Sequence, residues 1–166
     1  MDLDYAVDFF KGLATKVAEV QKEAAYAAAL DGLALIKTRV IKTGVNAEGS
    51  KFRDYSDTVL PGFFAKSRTG KKPNKGPASY KDIRESAGLQ TDHRDFKFTG
   101  RMWANIHPLI TAIRGNSLVI EYKAREEQDK VDWNTDRDGN FLKPNAEEIV
   151  EITKSYNQYF IENMLR

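Results

Sequence analysis

From about Tyr5 to Lys42 apolar residues return at three- and four-residue steps: Phe10, Leu13, Val17, Val20, Ala24 and Ala27, then Leu33, Ile36, Val40 and Ile41. That spacing keeps one face of an α-helix apolar, and the stretch has no proline, so it predicts one long helix over about 5–42, with Asp31-Gly32 as the place where it could bend. Gly44, Asn46 and Gly49 then stop the helix and turn the chain into a short extended piece through Phe52 and Tyr55. "FKFTG", with Phe96 and Phe98 alternating with polar residues, reads as a strand that breaks at Gly100. "PLITAIRGNSLVIEYKA" reads as a β-hairpin: two β-branched runs about Arg114-Gly115-Asn116, where Gly and Asn suit the positive φ of a tight turn. A last helical face follows in "NAEEIVEITKSYNQYFIENML". There Ile149, Ile152, Tyr156, Tyr159, Phe160 and Met164 align, and Asn145 stands as cap ahead of Glu147 and Glu148. Together these elements predict an α+β fold, with a long N-terminal helix and a C-terminal helix packed on a small antiparallel sheet.

Length and composition narrow the class. The 166 residues, 41% of them hydrophobic, suit a single domain over 1–166. Without an apolar run near the ~18 residues needed to span a bilayer, no membrane role is expected. The acidic start "MDLDYAVDFF" is unlike a basic signal-peptide opening, so export by that route is not expected, and synthesis and assembly in the cytoplasm is the expectation. Cysteine is absent, which excludes disulfides, thiolate nucleophiles and cysteine-based zinc sites.

Charge is unevenly placed. Residues 51–115 carry 13 cations against 6 anions, and residues 116–166 carry 7 against 11. The cations concentrate in "AKSRTGKKPNKGPASY", where Lys66, Arg68, Lys71, Lys72 and Lys75 lie among glycines, prolines and small polar residues. Such a segment cannot fill a core, so a basic, flexible loop is expected over about 65–79. Three readings of it stay open: a solvated linker, a contact with nucleic-acid phosphates without base reading, or a contact with an acidic protein surface.

Catalytic and metal chemistry is poorly represented. His93 and His107 are 14 residues apart, and neither has a second His or an acidic ligand at helical spacing. No Gly-x-Ser-x-Gly elbow is present. "TGKKP" lacks the first glycine of a phosphate loop, and Pro73 would stop the helix that such a loop opens. Asn134, Asp136, Asp138 and Gly139 follow the spacing of an EF-hand calcium loop, but Asn145 stands where the bidentate Glu belongs. The stretch reads as a polar turn. The expectation is a non-enzyme with neither cofactor nor metal.

Three segments in order carry a resemblance: "IKTGVNAEGSKFRDYS", "DFKFTGRMW" and "DGNFLKPNAEE". In them Gly44, Gly49, Phe52, Tyr55 and Ser56, then Thr99, Gly100, Met102 and Trp103, then Phe141, Leu142 and Glu147 follow a pattern similar to the small neck and tail-completion proteins of tailed bacteriophages, the phage virion morphogenesis family. The resemblance implies a structural protein of the virion, a homo-oligomeric ring serving as head-tail connector or tail-completion protein in tail assembly, located at the neck or tail. Its implied partners are its own copies and the portal, adaptor or tail-tube proteins. Met102 and Trp103 would then fill the gap between sheet and long helix. The alternative from another class is a basic nucleic-acid-binding accessory protein, making non-specific DNA contact through the loop.

Overall fold

The structure, a computed structural model, describes residues 3–60, 78–97, 100–114 and 117–166. Its order is α1 (Leu3–Thr43), α2 (Tyr80–Ser86), α3 (Arg101–Asn105), β1 (Ile106–Arg114), β2 (Ser117–Ala124), α4 (Gln128–Asp138) and α5 (Ala146–Met164). The fold is α+β, as the pattern predicts. Its 41-residue α1 extends about 60 Å.

The chain packs as two compact units. The first takes residues 1–36 with the β1–β2 region and 142–166; the second takes 37–105 and 126–141.

In the first unit, β1 and β2 pair antiparallel from Ile106↔Ala124 to Arg114↔Ser117, and the register shifts between Ile110 and Ala112. The hairpin thus starts two residues before the expected Pro108. α5 runs antiparallel to α1. Two contacts fix this course: Ser155 Oγ donates to the Asp31 carboxylate, and Lys16 Nζ donates to Met164 O at 3.3 Å. The buried face of α1 in this unit is made of small residues, since Ala24, Ala25, Ala28 and Ala29 are fully buried. Gly32 sits where any Cβ would overlap Tyr122 and Ile152, so glycine is what allows β2 and α5 to approach α1 there. The cap of α5 is as predicted: Asn145 Oδ1 accepts from Glu148 N, and Glu148 accepts from Asn145 N, both at 2.8 Å. Its buried face differs by one position, with Glu148 and Ile152 inside and Ile149 exposed.

The second unit begins with the last turns of α1. Gly44, at φ +64°, ends the helix and donates its N–H to Val40 O at 3.2 Å. A tight return follows, closed by Phe52 N donating to Gly44 O at 2.8 Å, with Asn46 Oδ1 accepting from Glu48 N and Ser50 N and Gly49 in a positive-φ turn. α2 opens on a capping box between Ser79 and Asp82. Those bonds from Ser79 hold the Asp82 carboxyl below its ordinary pKa.

Two sequence expectations are corrected in this unit. Phe96 adopts φ +53° in a bend, so the described part of "FKFTG" is not a strand. The residues expected to form a polar turn, Asn134, Asp136 and Asp138, instead occupy the last turns of α4, which Gly139 ends at φ +83°. α4 escapes pattern reading because it has almost no apolar stripe: Val131 is its buried residue.

Candidate functional site

The second unit is organised around one buried guanidinium. Arg84, on α2, is fully buried, and all three of its guanidinium nitrogens donate to the segment that follows. Its Nη2 donates to both oxygens of Asp95 at 3.0 and 3.1 Å, its Nη1 to Lys97 O at 2.8 Å and its Nε to Gln90 O at 3.0 Å. Its flat face lies 4.1 Å from the centre of the Tyr55 ring. Tyr55 Oη donates to Asp95 Oδ1 at 2.8 Å and accepts from Asp95 N, and Trp103 Nε1 donates to Asp95 O at 2.9 Å. No buried side-chain nitrogen or oxygen among the described residues lacks a hydrogen-bond partner. Groups satisfied in this way hold a loop in shape.

Aromatic rings form the other half of this core. Phe52 meets Phe96 edge-on at 5.0 Å, Phe96 lies 4.6 Å from Phe141, and Trp103 meets Phe141 edge-on at 5.8 Å. Met102 and Trp103 are buried, Trp103 to 4% exposure, on the five-residue α3 that follows the positive-φ Gly100. The expected burial is therefore found, with Trp103 bonded to Asp95 and packed on Phe141.

A cavity of about 660 Å³ opens beside this core, with Tyr55, Tyr80, Phe96 and Met102 on one side and Lys130, Trp133 and Arg137 of α4 on the other. Arg137 stacks on Trp133 at 4.2 Å, and Trp133 is 58% exposed. Below it the buried Asp138 carboxylate pairs with Arg94 at 2.8 Å and with Arg53 at 3.9 Å. Asp138 is thus a counter-ion for arginines, and Asn134 donates to Lys130 O. Among the described residues no group of three or more His, Cys, Asp or Glu could hold a metal ion. His93 packs on Gly44, with Nε2 2.9 Å from Ile41 O, and His107 lies on β1.

The first unit presents a different surface. The first turns of α1 carry Leu3, Tyr5, Val7, Phe9, Phe10 and Leu13 in the open, with Leu3 at 78% and Phe10 at 64% exposure. Among the described residues they are bare, since the last turn of α5, at Met164, lies opposite Lys16. Roughly 20 Å of helix therefore runs beyond its covering partner.

No protein-family model, curated protein or solved structure matches the chain.

Of the motif residues read from sequence, Gly44, Gly49, Phe52, Tyr55, Gly100, Met102, Trp103 and Phe141 all fall in the second unit, and Phe52, Tyr55, Met102, Trp103 and Phe141 are buried there. Thr99 lies outside the described residues, as do Lys66, Arg68, Lys71, Lys72 and Lys75. Sequence reasoning missed Arg84, Asp95 and Trp133. The signal available for Arg84 was its place on the inner face of a seven-residue helix, beside Ile83.

Burial raises the pKa of two tyrosines. For Tyr55 the Asp95 carboxylate adds to the effect; Tyr122, half-buried and near Glu148 in the first unit, is pushed up to about 12. An unfolded chain ionises tyrosine near 10, so the un-ionised phenols stabilise the fold fully below pH ~10. For Tyr122 that contribution is lost as pH rises from there to about 12. Denaturation midpoints measured across this alkaline range should fall, and the fall should shrink in Tyr122→Phe. An unchanged slope in that variant would place the Tyr122 phenol in water.

Proposed function

We propose that the protein is a non-enzymatic structural component of a tailed-phage virion, a ring-forming neck or tail-completion protein that joins the capsid portal to the tail. The observation that supports it is the bare apolar end of α1. Large hydrophobic side chains held open on a rigid helix are stabilised by covering them with another chain, and contiguous patches of this kind mark interaction sites. The fully bonded Arg84–Asp95 core suits a scaffold, and the short motifs around Gly44, Gly100 and Phe141 add the family resemblance. Ring closure requires a head-to-tail contact between unlike surfaces of neighbouring copies. The Trp133–Arg137 ledge has the composition favoured at such contacts, where Trp, Tyr and Arg dominate the binding energy.

The test is mass spectrometry of purified virions together with electron microscopy of the isolated protein. A fixed copy number per particle and annular assemblies are the expected results. Absence from particles, combined with DNA binding that weakens steeply with salt, would replace this reading with the nucleic-acid one.

A further inference from the structure

We propose that the uncovered end of α1 is a self-recognition site at which two copies of this chain pair through antiparallel, two-fold-related α1 helices. The inference deepens the proposed function, which rests on the same bare end of α1, and its test reads the pairing apart from ring formation.

Leu3, Ala6, Phe10, Leu13, Val17, Val20, Ala24 and Ala27 follow one another at alternating steps of three and four. That is the seven-residue repeat of a helix that packs on another helix along one seam. Further along, Val20 and Ala24 of this seam are buried in the first unit's own core and Ala27 is half-buried. From Leu3 to Leu13 the same seam continues with its large side chains in water, and Val7 and Phe9 widen it on either side. Inside the core the covered face of α1 steps by four, through Val20, Ala24, Ala28, Gly32 and Ile36, while the bare stretch keeps the three-four spacing. A sequence that keeps helix-packing spacing past its own partner is matched to a second helix.

The side chains specify which helix. If a second copy lies antiparallel with its two-fold axis near Asp8, Leu3 faces Leu13 of the other copy and Ala6 faces Phe10. Each layer then sets a large side chain against a small one or two of equal size, which fills space evenly. Val7 meets Val7 and Phe9 meets Phe9 across the axis. A parallel pair would put Phe10 on Phe10 and Ala6 on Ala6, a clash of volume beside a gap. Charge favours the same choice: Asp4 lies near one end of the bare stretch and Lys16 near the other, with Asp8 and Lys11 paired at 3.9 Å between them, so antiparallel copies bring opposite signs alongside and oppose their helix dipoles. Such a two-fold contact uses the same patch on both copies and cannot by itself close a ring; it makes a pair that other surfaces extend.

The absence of native cysteine makes the register directly readable. Leu3→Cys and Leu13→Cys, prepared separately, mixed in equal amounts and mildly oxidised, should give a disulfide-linked dimer containing one copy of each, while neither variant alone should cross-link. Cross-linking of each variant with itself would mean a parallel pair and would overturn the proposal. No cross-link in the mixture would overturn it too, and if annular assemblies still form, the virion reading survives its loss. As a second measurement, Phe10→Asp should raise the dimer dissociation constant in sedimentation equilibrium by about 30-fold or more, the loss expected of a central interface aromatic. Circular dichroism should show the helix content retained, because Phe10 lies beyond α5. A wild-type chain that sediments as a monomer, or a Phe10→Asp variant that dimerises like wild type, would overturn the pairing.

Discussion

Arg84→Ala is expected to destabilise the second unit by roughly 3–5 kcal/mol, because it leaves a buried carboxylate without its counter-ion. Asp95 is 3% exposed and would retain the hydroxyl of Tyr55 and the Lys97 N–H as donors. The carbonyls of Gln90 and Lys97 would each lose a charged donor as well. Arg84→Lys should recover little, since an ammonium on a flexible stem cannot reproduce a fork that holds both Asp95 oxygens and two carbonyls at once. The informative comparison is a double variant, Arg84→Met with Asp95→Leu. With both charges gone it should lose clearly less stability than the sum of the single changes, the coupling expected of a contacting pair. Urea denaturation followed by tryptophan fluorescence reads the right region, since Trp103 and Trp133 both belong to the second unit. A loss below about 1 kcal/mol for Arg84→Ala would mean that Asp95 is solvated in the native protein.

Trp103→Ala is expected to destabilise the same unit by ~3–5 kcal/mol, the usual effect of deleting a buried large aromatic. The loss has two parts, and a second variant separates them. Trp103→Phe keeps most of the contact with Phe141 but removes the indole N–H that satisfies Asp95 O at 2.9 Å. Leaving that carbonyl unpaired in a buried site should account for about 1–3 kcal/mol. If Trp103→Ala melts at the wild-type temperature, Trp103 is in water in the isolated chain and its place is at a contact between subunits. Because the Trp103 bond ends on Asp95, its effect and that of Arg84 should not be additive; a strictly additive pair would show that the two sit in independent clusters.

Periodicity was a sound guide where one apolar face meets one core. α1, the β1–β2 hairpin and α5 each have such a face, and the Asn145 cap is purely local, which is why their limits fall within a few residues of expectation. The same reasoning misplaced Phe96. Its alternation with Phe98 suggests a strand, but Phe96 is drawn between Phe52 and Phe141, residues 44 and 45 positions away, and takes a positive φ to reach them. α4 shows the opposite limit. Its chain is almost wholly polar, and its last residue, Asp138, is buried by arginines that arrive from α2's downstream segment and from the turn after α1.

The sequence by itself determined the elements whose stabilising contacts repeat at a fixed spacing, and it determined the turns at Gly44, Gly49 and Gly100, where φ values of +64°, +80° and +76° favour a residue without a side chain. It also contained the helix-packing repeat of α1 through Leu13 and beyond. Only the tertiary structure decided which part of that repeat is covered, because this depends on α5 reaching Lys16 with its last turn. Only the tertiary structure, too, turned Arg84 and Asp95 from two of the chain's many charges into the centre of a core. A charge is stable out of water when several partners converge on it at hydrogen-bonding distance, and convergence from Tyr55, Gln90, Lys97 and Trp103 is a property of the folded chain, with no spacing along the sequence to announce it.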